Sequence, residues 1–260
     1  MNASRSSATA AGRTPAPKAG GNPIDRATLR SRPRDGLVRH CWLMLATALL
    51  LALFWRSRFD WDPEMRLWRA FGDAAIVLLF AVLALGPVAR FSTAVGRLLP
   101  WRRQIGIWAA ATAFVHTFLV LDGWVRWDVG RFLGFEFVPQ LGREARMEPG
   151  FGLANLIGLV AVLWLLALAV TSTDRAVRRL GPAGWKWLHS GAYTIFYLSV
   201  LHSAYFLFLH YTLSFHRDPP PQNWFRIPLL VLGALVLVLQ WAAFVATVRR
   251  RRAVAPSNPR

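Results

Sequence analysis

The stretch WKWLHSGAYTIFYLSVLHSAYFLFLH, residues 185–210, decides the fold predicted for this chain. It is an apolar, aromatic-rich segment of helical length, and a helix needs about 20 such residues to cross a bilayer. It nevertheless carries His189 near one end and His202 in its far half. Because an imidazole in hydrocarbon is costly, a histidine inside a span is a functional candidate and is expected to face the bundle interior.

The spacing of these two histidines suggests two levels in the membrane. At about 1.5 Å per residue, His189 and His202 lie about 20 Å apart along the helix axis, which suits two redox cofactors stacked across a bilayer. The two histidines are not expected on one face of the helix, because a spacing of thirteen residues leaves about 140° between their side chains on an ideal helix. A tilted or distorted helix would be needed to serve two stacked cofactors, and this counts against the second one.

The composition is that of a polytopic membrane protein. Hydrophobic residues make up 55% of the 260 residues, with 13 Trp and 17 Phe, well above the apolar and aromatic content of an ordinary soluble domain. The net charge of +18 would suggest nucleic acid in a soluble chain. Here the basic residues lie between apolar runs, where they set topology and contact lipid, so nucleic-acid binding is not expected.

The apolar segments predict an all-α integral membrane protein, a bundle of six transmembrane helices. The segment 1–36 is predicted to be a disordered basic cytoplasmic tail, 37–249 the six-helix domain and 250–260 a second basic tail. The expected spans are residues 38–55, 73–88, 104–121, 151–171, 185–210 and 225–248.

Several polar features carry expectations of their own. Asp73 opens the expected second span and is predicted to cap it or mark its boundary. His210 and His216 follow the fifth span and are expected to be solvated at the membrane edge. The loop 122–150 mixes charges with Trp and Phe, which predicts a segment lying along the membrane surface with a short amphipathic turn.

The distribution of Lys and Arg predicts the orientation. In one set of connecting segments the basic residues are in excess, whereas in the opposite loops acidic residues offset them. It is the Lys and Arg excess that orients a span, so the first set is expected to be cytoplasmic, with both termini inside. That set comprises Arg26, Arg30, Arg32, Arg34, Arg39, Arg90, Arg97, Arg102, Arg103, Arg175, Arg178, Arg179, Lys186 and Arg249, Arg250, Arg251 and Arg252.

A second histidine-bearing span lies at matching depth. With six alternating spans, the third and fifth run in the same direction, and His116 lies 14 residues beyond Arg102 just as His202 lies 13 beyond His189. His116 and His202 are therefore expected at similar depth in the outer half, as a bis-histidine clamp for haem iron between helices 3 and 5. The single cysteine, Cys41, excludes a CxxCH attachment motif, so the haem would be b-type.

The residues expected at the inner face of the membrane are compatible with more than one role. His189 is expected level with Arg102 and Arg103. Either His189 ligates a second haem from one side, or the arginines pair with haem propionates, which match a guanidinium fork. A histidine within a span can also hydrogen-bond across helices with no cofactor present.

Three stretches of the chain resemble the ferric-reductase-like transmembrane domain family. They are TSTDRAVRRLGPAGWKWLHSGAYTIFYLSVLH at 171–202, RRQIGIWAAATAFVH at 102–116 and LALGPVAR at 83–90. Within that family the chain is most similar to the MsrQ family, the haem-binding membrane subunits of bacterial periplasmic protein-methionine-sulfoxide reductase systems. The resemblance covers roughly residues 38–248.

This resemblance implies a bacterial inner-membrane bundle that holds haem b through His116 and His202. It also implies that His189 and Arg102 lie near a second haem or an FMN site. Electrons would come from the quinol pool or a cytoplasmic flavin reductase and leave to a periplasmic redox protein, in that system a molybdopterin-containing subunit. The segments 122–150 and 210–226 are longer than the resemblance leads us to expect, which leaves the acceptor's identity open.

Three classes of function are compatible with the sequence. We favour an electron-transfer subunit of an oxidoreductase, with no catalytic residues of its own, because no GxGxxG motif follows a strand to bind NAD(P)H. The second class is a self-sufficient reductase of an outer-face metal ion such as ferric iron. The third is a transporter or membrane scaffold without cofactor, against which no inverted repeat or pair of half-helices is apparent.

Overall fold

The computed structural model describes residues 33–147, 149–210 and 223–254. By internal contacts the chain divides into two units, residues 1–38 and 39–260. Most of the tail expected at residues 1–36 lies outside the described residues, as do His216 and residues 255–260. The helix that opens the described part begins at Pro33.

Six helical segments in the described part are long and apolar enough to cross a membrane, which confirms the predicted number of spans. Their outward faces carry large exposed apolar side chains, such as Leu53 and Trp241, as expected where a helix meets lipid tails. The six candidate spans are Gly36–Arg56, Pro63–Val88, Thr93–Val125, Gly150–Val170, Asp174–Leu209 and Arg226–Ala253.

The regular elements follow the chain order of these spans. Two π-helical turns, Leu121–Val125 and Tyr205–Leu209, continue the third and fifth spans. The helices and strands are α1 (Pro33–Arg56), α2 (Pro63–Val88), α3 (Thr93–Gly96), α4 (Arg102–Val120), α5 (Val129–Phe132), β1 (Phe135–Val138), β2 (Arg143–Arg146), α6 (Pro149–Val170), α7 (Asp174–Ser190), α8 (Ala192–Ala204) and α9 (Arg226–Val254).

The second span begins at Pro63 rather than at Asp73. The side chain of Asp62 caps α2 by accepting hydrogen bonds from the backbone N–H groups of Glu64 and Met65, at 3.0 and 3.2 Å. A proline at the first helical position is favourable because its missing N–H would have no partner there. The prediction that Asp73 caps or bounds the helix is therefore wrong, and Asp73 lies buried within α2.

The fifth span is two helices rather than one. α7 ends at Ser190 and α8 starts at Ala192, with Gly191 between them. Gly191 lies so close to the Trp164 ring that a Cβ there would meet Trp164 Cζ2 at 2.6 Å. Earlier in α7, Gly181 has φ 71°, a left-handed conformation that glycine adopts without a steric cost. Of these two positions, Gly191 is the one that lies between His189 and His202.

The segment between α4 and α6 contains a short antiparallel hairpin, which departs from the all-α prediction. β1 pairs with β2 in a register that joins Phe135 to Arg146 and Val138 to Arg143. Exposed side chains such as Phe137 lie on both of its faces, so the strands lack the alternating pattern that reveals a half-buried strand.

The interior is built from two helix pairs. α2 packs along α4, and α6 packs along α8. The pairs meet where Phe80 of α2 contacts Phe196 of α8, with ring centroids 4.9 Å apart. Leu83 and Ile195 are fully buried, and they belong to the same apolar core as Phe80 and Phe196.

Candidate functional site

A cavity of about 310 Å³ lies between the two helix pairs. Most of its lining is apolar, but it also includes His116 from α4, His202 from α8, and Arg69 and Asp73 from α2. An apolar cleft with a few convergent polar groups is the usual form of a cofactor site. The two histidines expected at matching depth therefore face the same space.

The imidazole rings of His116 and His202 are neighbours across this cavity. Their centroids lie 6.4 Å apart, and their planes are inclined at 77° to each other. The similar depth predicted from the sequence spacing is thus found in the structure. The two side chains come from different helix pairs, so the cavity and the histidine pair depend on the same packing.

Each ring is held by a backbone carbonyl of the neighbouring helix. His116 Nδ1 lies 2.8 Å from the carbonyl oxygen of Trp68 in α2, and His202 Nδ1 lies 2.8 Å from that of Ala154 in α6. A carbonyl oxygen only accepts hydrogen bonds, so each Nδ1 must be the protonated, donating nitrogen. Nε2 of each ring then keeps its lone pair, which is the arrangement found at metal-ligating histidines.

The distance between the rings would allow both imidazoles to bind one metal ion. An imidazole nitrogen binds a transition metal at about 2 Å, and the ring centroid lies about 1 Å behind that nitrogen, so centroids on opposite sides of one ion lie about 6 Å apart. The 6.4 Å separation in this structure matches that value. The residues present therefore fit a bis-histidine haem, whose flat macrocycle would occupy the apolar remainder of the cavity.

Arg69 and His210 also line the cavity, and neither was predicted to do so from the sequence. Arg69 lies one turn before Asp73 on α2, and its guanidinium lies 5.8 Å from the centroid of the Phe206 ring. His210 was expected to be solvated, and this is wrong: its residue is 8% exposed, and its ring lies 5.4 Å from that of Phe151. Phe151 belongs to another helix, α6, so no local pattern predicts this contact.

A buried ion pair supports the cavity wall. Arg58, in the turn after α1, donates from Nη2 to Oδ2 of Asp73. The same guanidinium donates to Asn223 Oδ1 at 2.9 Å and to the carbonyl oxygen of Phe54 at 3.1 Å. Burial lowers the pKa of Arg58, and the charge of Asp73 opposes that shift. These contacts join the first and second spans to the segment that leads into the sixth.

The three residues predicted at the inner face lie apart from this cavity. His189 stacks on Trp185, with centroids 4.0 Å apart and planes inclined at 24°. Its Nε2 lies 3.3 Å from Thr171 Oγ1. That hydroxyl donates to the carbonyl of Ala167 at 2.8 Å, so His189 Nε2 must be the donor between them. His189 thus offers Nδ1 rather than Nε2 as its unprotonated nitrogen.

The two arginines near His189 differ in their partners. Arg103 pairs with Asp174 at 3.0 Å and donates from Nε to the carbonyl of Ser172. Its guanidinium therefore already has a carboxylate partner within the chain. Arg102 lies along α2, where its Nη1 would be 3.5 Å from a Cβ at Gly86. Of the two, Arg102 is the arginine whose guanidinium has no carboxylate partner in the described residues.

Comparison with known sequences places this architecture in a family. The profile of the family described as ferric reductase like transmembrane component matches residues 71–200, half of the chain. The chain belongs to this ferric-reductase-like family. The matched residues include His116 and His189, and His202 follows two residues after they end.

Relatives of known name narrow the comparison within the ferric-reductase-like family. Proteins of Yersinia pestis (strain Pestoides F) and Yersinia pseudotuberculosis serotype O:3 (strain YPIII) are each 30% identical over 218 residues. Each alignment covers 73% of this chain and 98% of the relative. Both relatives are named protein-methionine-sulfoxide reductase heme-binding subunit MsrQ. The predicted resemblance to the MsrQ family is thereby confirmed.

Proposed function

We propose that this chain is a haem b electron-transfer subunit that carries electrons across the bacterial inner membrane to a periplasmic acceptor. The observation that supports this function is the pair His116 and His202, whose ring centroids lie 6.4 Å apart across an apolar cavity. Nδ1 of each ring donates a hydrogen bond to a backbone carbonyl oxygen. When bound, the iron supplies reversible one-electron transfer. The protein holds the two imidazoles in place, excludes water and sets the charge around the cavity.

Arg69 is the residue we assign to the carboxylates of the haem. It lines the cavity with both histidines, and in the described residues its guanidinium has no carboxylate partner. Guanidinium groups match carboxylates through two parallel hydrogen bonds. Asp73, on the same wall, is already occupied by Arg58 and so does not compete for that cation.

A single haem fits the histidine geometry better than two. His116 and His202 both offer Nε2 to the cavity, whereas His189 donates its Nε2 proton to Thr171. His189 also lies beyond the break at Gly191, half-exposed against Trp185. We therefore place haem b at the first pair and leave Arg102 and His189 as the contact region of a second haem, FMN or an electron donor. The donor itself is a quinol or a cytoplasmic flavin reductase.

The orientation follows from the arginine distribution. The cytoplasmic segments are those rich in Arg and Lys, including the one before α4 and the end of α9. α4 then runs outward, and His116 lies 14 residues after Arg102, about 20 Å further along the axis. The cavity is thus in the periplasmic half of the membrane, and the β1–β2 hairpin is on the periplasmic side. A methionine-sulfoxide reductase, the system named for the relatives, is the acceptor we propose.

The deciding experiment is the reduced-minus-oxidised visible spectrum of detergent-purified protein, with haem content from the pyridine haemochrome. Wild type should show b-type bands and about one haem per chain. His116→Ala and His202→Ala should lose the low-spin spectrum, whereas His189→Ala, the matched histidine outside the cavity, should retain it. Colourless wild type after growth with added haem would refute the proposal and favour a cofactor-free transporter or scaffold.

A second assay separates the subunit from a self-sufficient metal reductase. Purified protein is pre-reduced and mixed with ferric chelates, and reoxidation is followed at the reduced band. A subunit that passes electrons to a protein acceptor should reoxidise slowly with chelates and rapidly when the purified periplasmic reductase and its substrate are added. Rapid reoxidation by chelates alone would favour the metal reductase.

A further inference from the structure

The two helix pairs repeat one arrangement around the cavity. In each pair a histidine donates through Nδ1 to a carbonyl oxygen 48 residues earlier, at 2.8 Å in both cases. Four residues after that carbonyl, each partner helix has a glycine that contacts the same imidazole. Adding 86 to the numbers of Trp68, Gly72 and His116 gives Ala154, Gly158 and His202.

The repeat extends beyond these three positions. α2 and α6 both begin at a proline, 63 and 149, and a π-helical turn follows each histidine, at Leu121–Val125 and Tyr205–Leu209. Cavity-lining positions such as Met65 and Thr117 have counterparts 86 residues later, Phe151 and Ser203, that line the cavity from the opposite side. The cavity is thus formed by two copies of one helix pair that run in the same direction.

The glycines explain how an outside donor reaches a carbonyl within a helix. A helical carbonyl already accepts the N–H of the residue four positions later, so the side chain at that later position covers the approach to the oxygen. A Cβ at Gly158 would lie 2.5 Å from His202 Nδ1, and one at Gly72 would lie 3.1 Å from His116 Nδ1. Both rings occupy the place that a side chain would fill.

We propose that Gly72 and Gly158 are positioning residues. Each leaves room for an imidazole to donate a hydrogen bond from Nδ1 to the carbonyl oxygen one turn earlier, and this bond directs Nε2 of the imidazole into the cavity. This inference rests on the proposed haem site, because the fixed orientation matters only if Nε2 binds a metal. Neither glycine touches the metal. Each acts through the histidine on the other helix of its own pair.

Alanine substitution at the glycines tests this role. Gly158→Ala should weaken haem affinity by about 10- to 100-fold, the usual effect of losing the hydrogen-bond partner of a ligating histidine. Gly72→Ala should act in the same direction with a smaller change, since its Cβ contact is longer. Loss of the Nδ1 hydrogen bond makes the imidazole a poorer donor to ferric iron, so the midpoint potential of any retained haem should rise.

Two glycines in other transmembrane positions provide matched controls. A Cβ at Gly106 of α4 would meet only Val82 Cγ2, at 4.0 Å, and a Cβ at Gly233 of α9 would have no neighbour within 4 Å. Gly106→Ala and Gly233→Ala should keep wild-type haem affinity and potential. Alanine is the better helix former in all four positions, so a loss confined to the cavity glycines cannot come from helix propensity.

The outcomes separate this inference from the proposed function. Wild type without haem refutes both, whereas wild-type haem with unchanged affinity and potential in Gly72→Ala and Gly158→Ala overturns the positioning role alone. Equal losses in the control variants overturn it as well. If the cavity variants fail to fold, the electron paramagnetic resonance spectrum of oxidised wild type decides. Rings held at 77° should give one feature at high g, and a rhombic spectrum of parallel rings would overturn the inference.

Discussion

Replacement of Arg58 should destabilise the protein far more than its position in a short turn suggests. The side chains of Arg58 and Asp73 are 1% and 8% exposed. Removing one partner of such a buried pair leaves the other charge without compensation and costs about 3–5 kcal/mol. We therefore expect Arg58→Met and Asp73→Leu each to lower the free energy of unfolding by that amount.

The double variant should lose less than either single variant. With both charges replaced by apolar side chains, no uncompensated charge remains, and such double replacements are often close to neutral. Some loss is still expected, because the Arg58 guanidinium also lies 5.4–5.9 Å from the rings of Phe54, Trp61 and Trp224. Each such contact contributes about 0.5–2 kcal/mol.

Unfolding of detergent-purified protein by increasing fractions of SDS, followed by tryptophan fluorescence, would measure these differences. Asp174→Asn is the matched control, since the pair of Asp174 with Arg103 is 79% and 39% exposed. An exposed pair contributes less than about 1 kcal/mol. If the losses in the two single variants simply add in the double variant, the ion pair is not the stabilising feature.

Three further outcomes test the site, the packing and the orientation. Arg69→Leu should weaken binding of haem by roughly 10- to 100-fold, from the loss of about 1.5–3 kcal/mol of charged hydrogen bonding, and should not change binding of the haem dimethyl ester; equal effects on both ligands would contradict the carboxylate role. Gly191→Ala should cost about 1–3 kcal/mol by overpacking, whereas Gly184→Ala, whose Cβ would meet its nearest neighbour at 3.9 Å, should change SDS unfolding little; equal midpoints would contradict the close approach. With the native cysteine replaced, Glu144→Cys should react with an impermeant maleimide in intact spheroplasts and Arg251→Cys only after lysis; the opposite pattern would invert the topology.

Axial positions in this fold could be predicted from the sequence because they follow from the rise per residue. Spacing from Arg102 and His189 placed His116 and His202 at one depth, and the rings are indeed neighbours. The direction in which each side chain points around its helix axis could not be predicted in this way. It depends on which helices pack together and on the distortions at Gly181 and Gly191, which local patterns do not reveal.

Two of the wrong predictions from the sequence have a common physical origin. Asp73 was assigned to a boundary because an apolar window begins there, but its partner is a loop arginine 15 residues earlier. His210 was assigned to solvent because it ends the apolar run, yet the Phe151 ring of another helix covers it. The hairpin was not predicted because its four-residue strands are mostly exposed and so lack an alternating apolar pattern. For Asp73 and His210 the deciding contact is tertiary, whereas the hairpin pairs within one short segment.

Because the two helix pairs repeat one arrangement, the two walls of the cavity are alike in shape but not in charge. Where α2 has Arg69 and Asp73, α6 has Asn155 and Leu159 at the equivalent positions, and all four line the cavity. Haem b is itself nearly symmetric about the line that runs between its propionates, so a half-turn about that line exchanges only methyl and vinyl groups. Two walls of like shape therefore admit both isomers of the bound complex. Ionic contacts to the propionates do not select between them, because the half-turn only exchanges one propionate with the other.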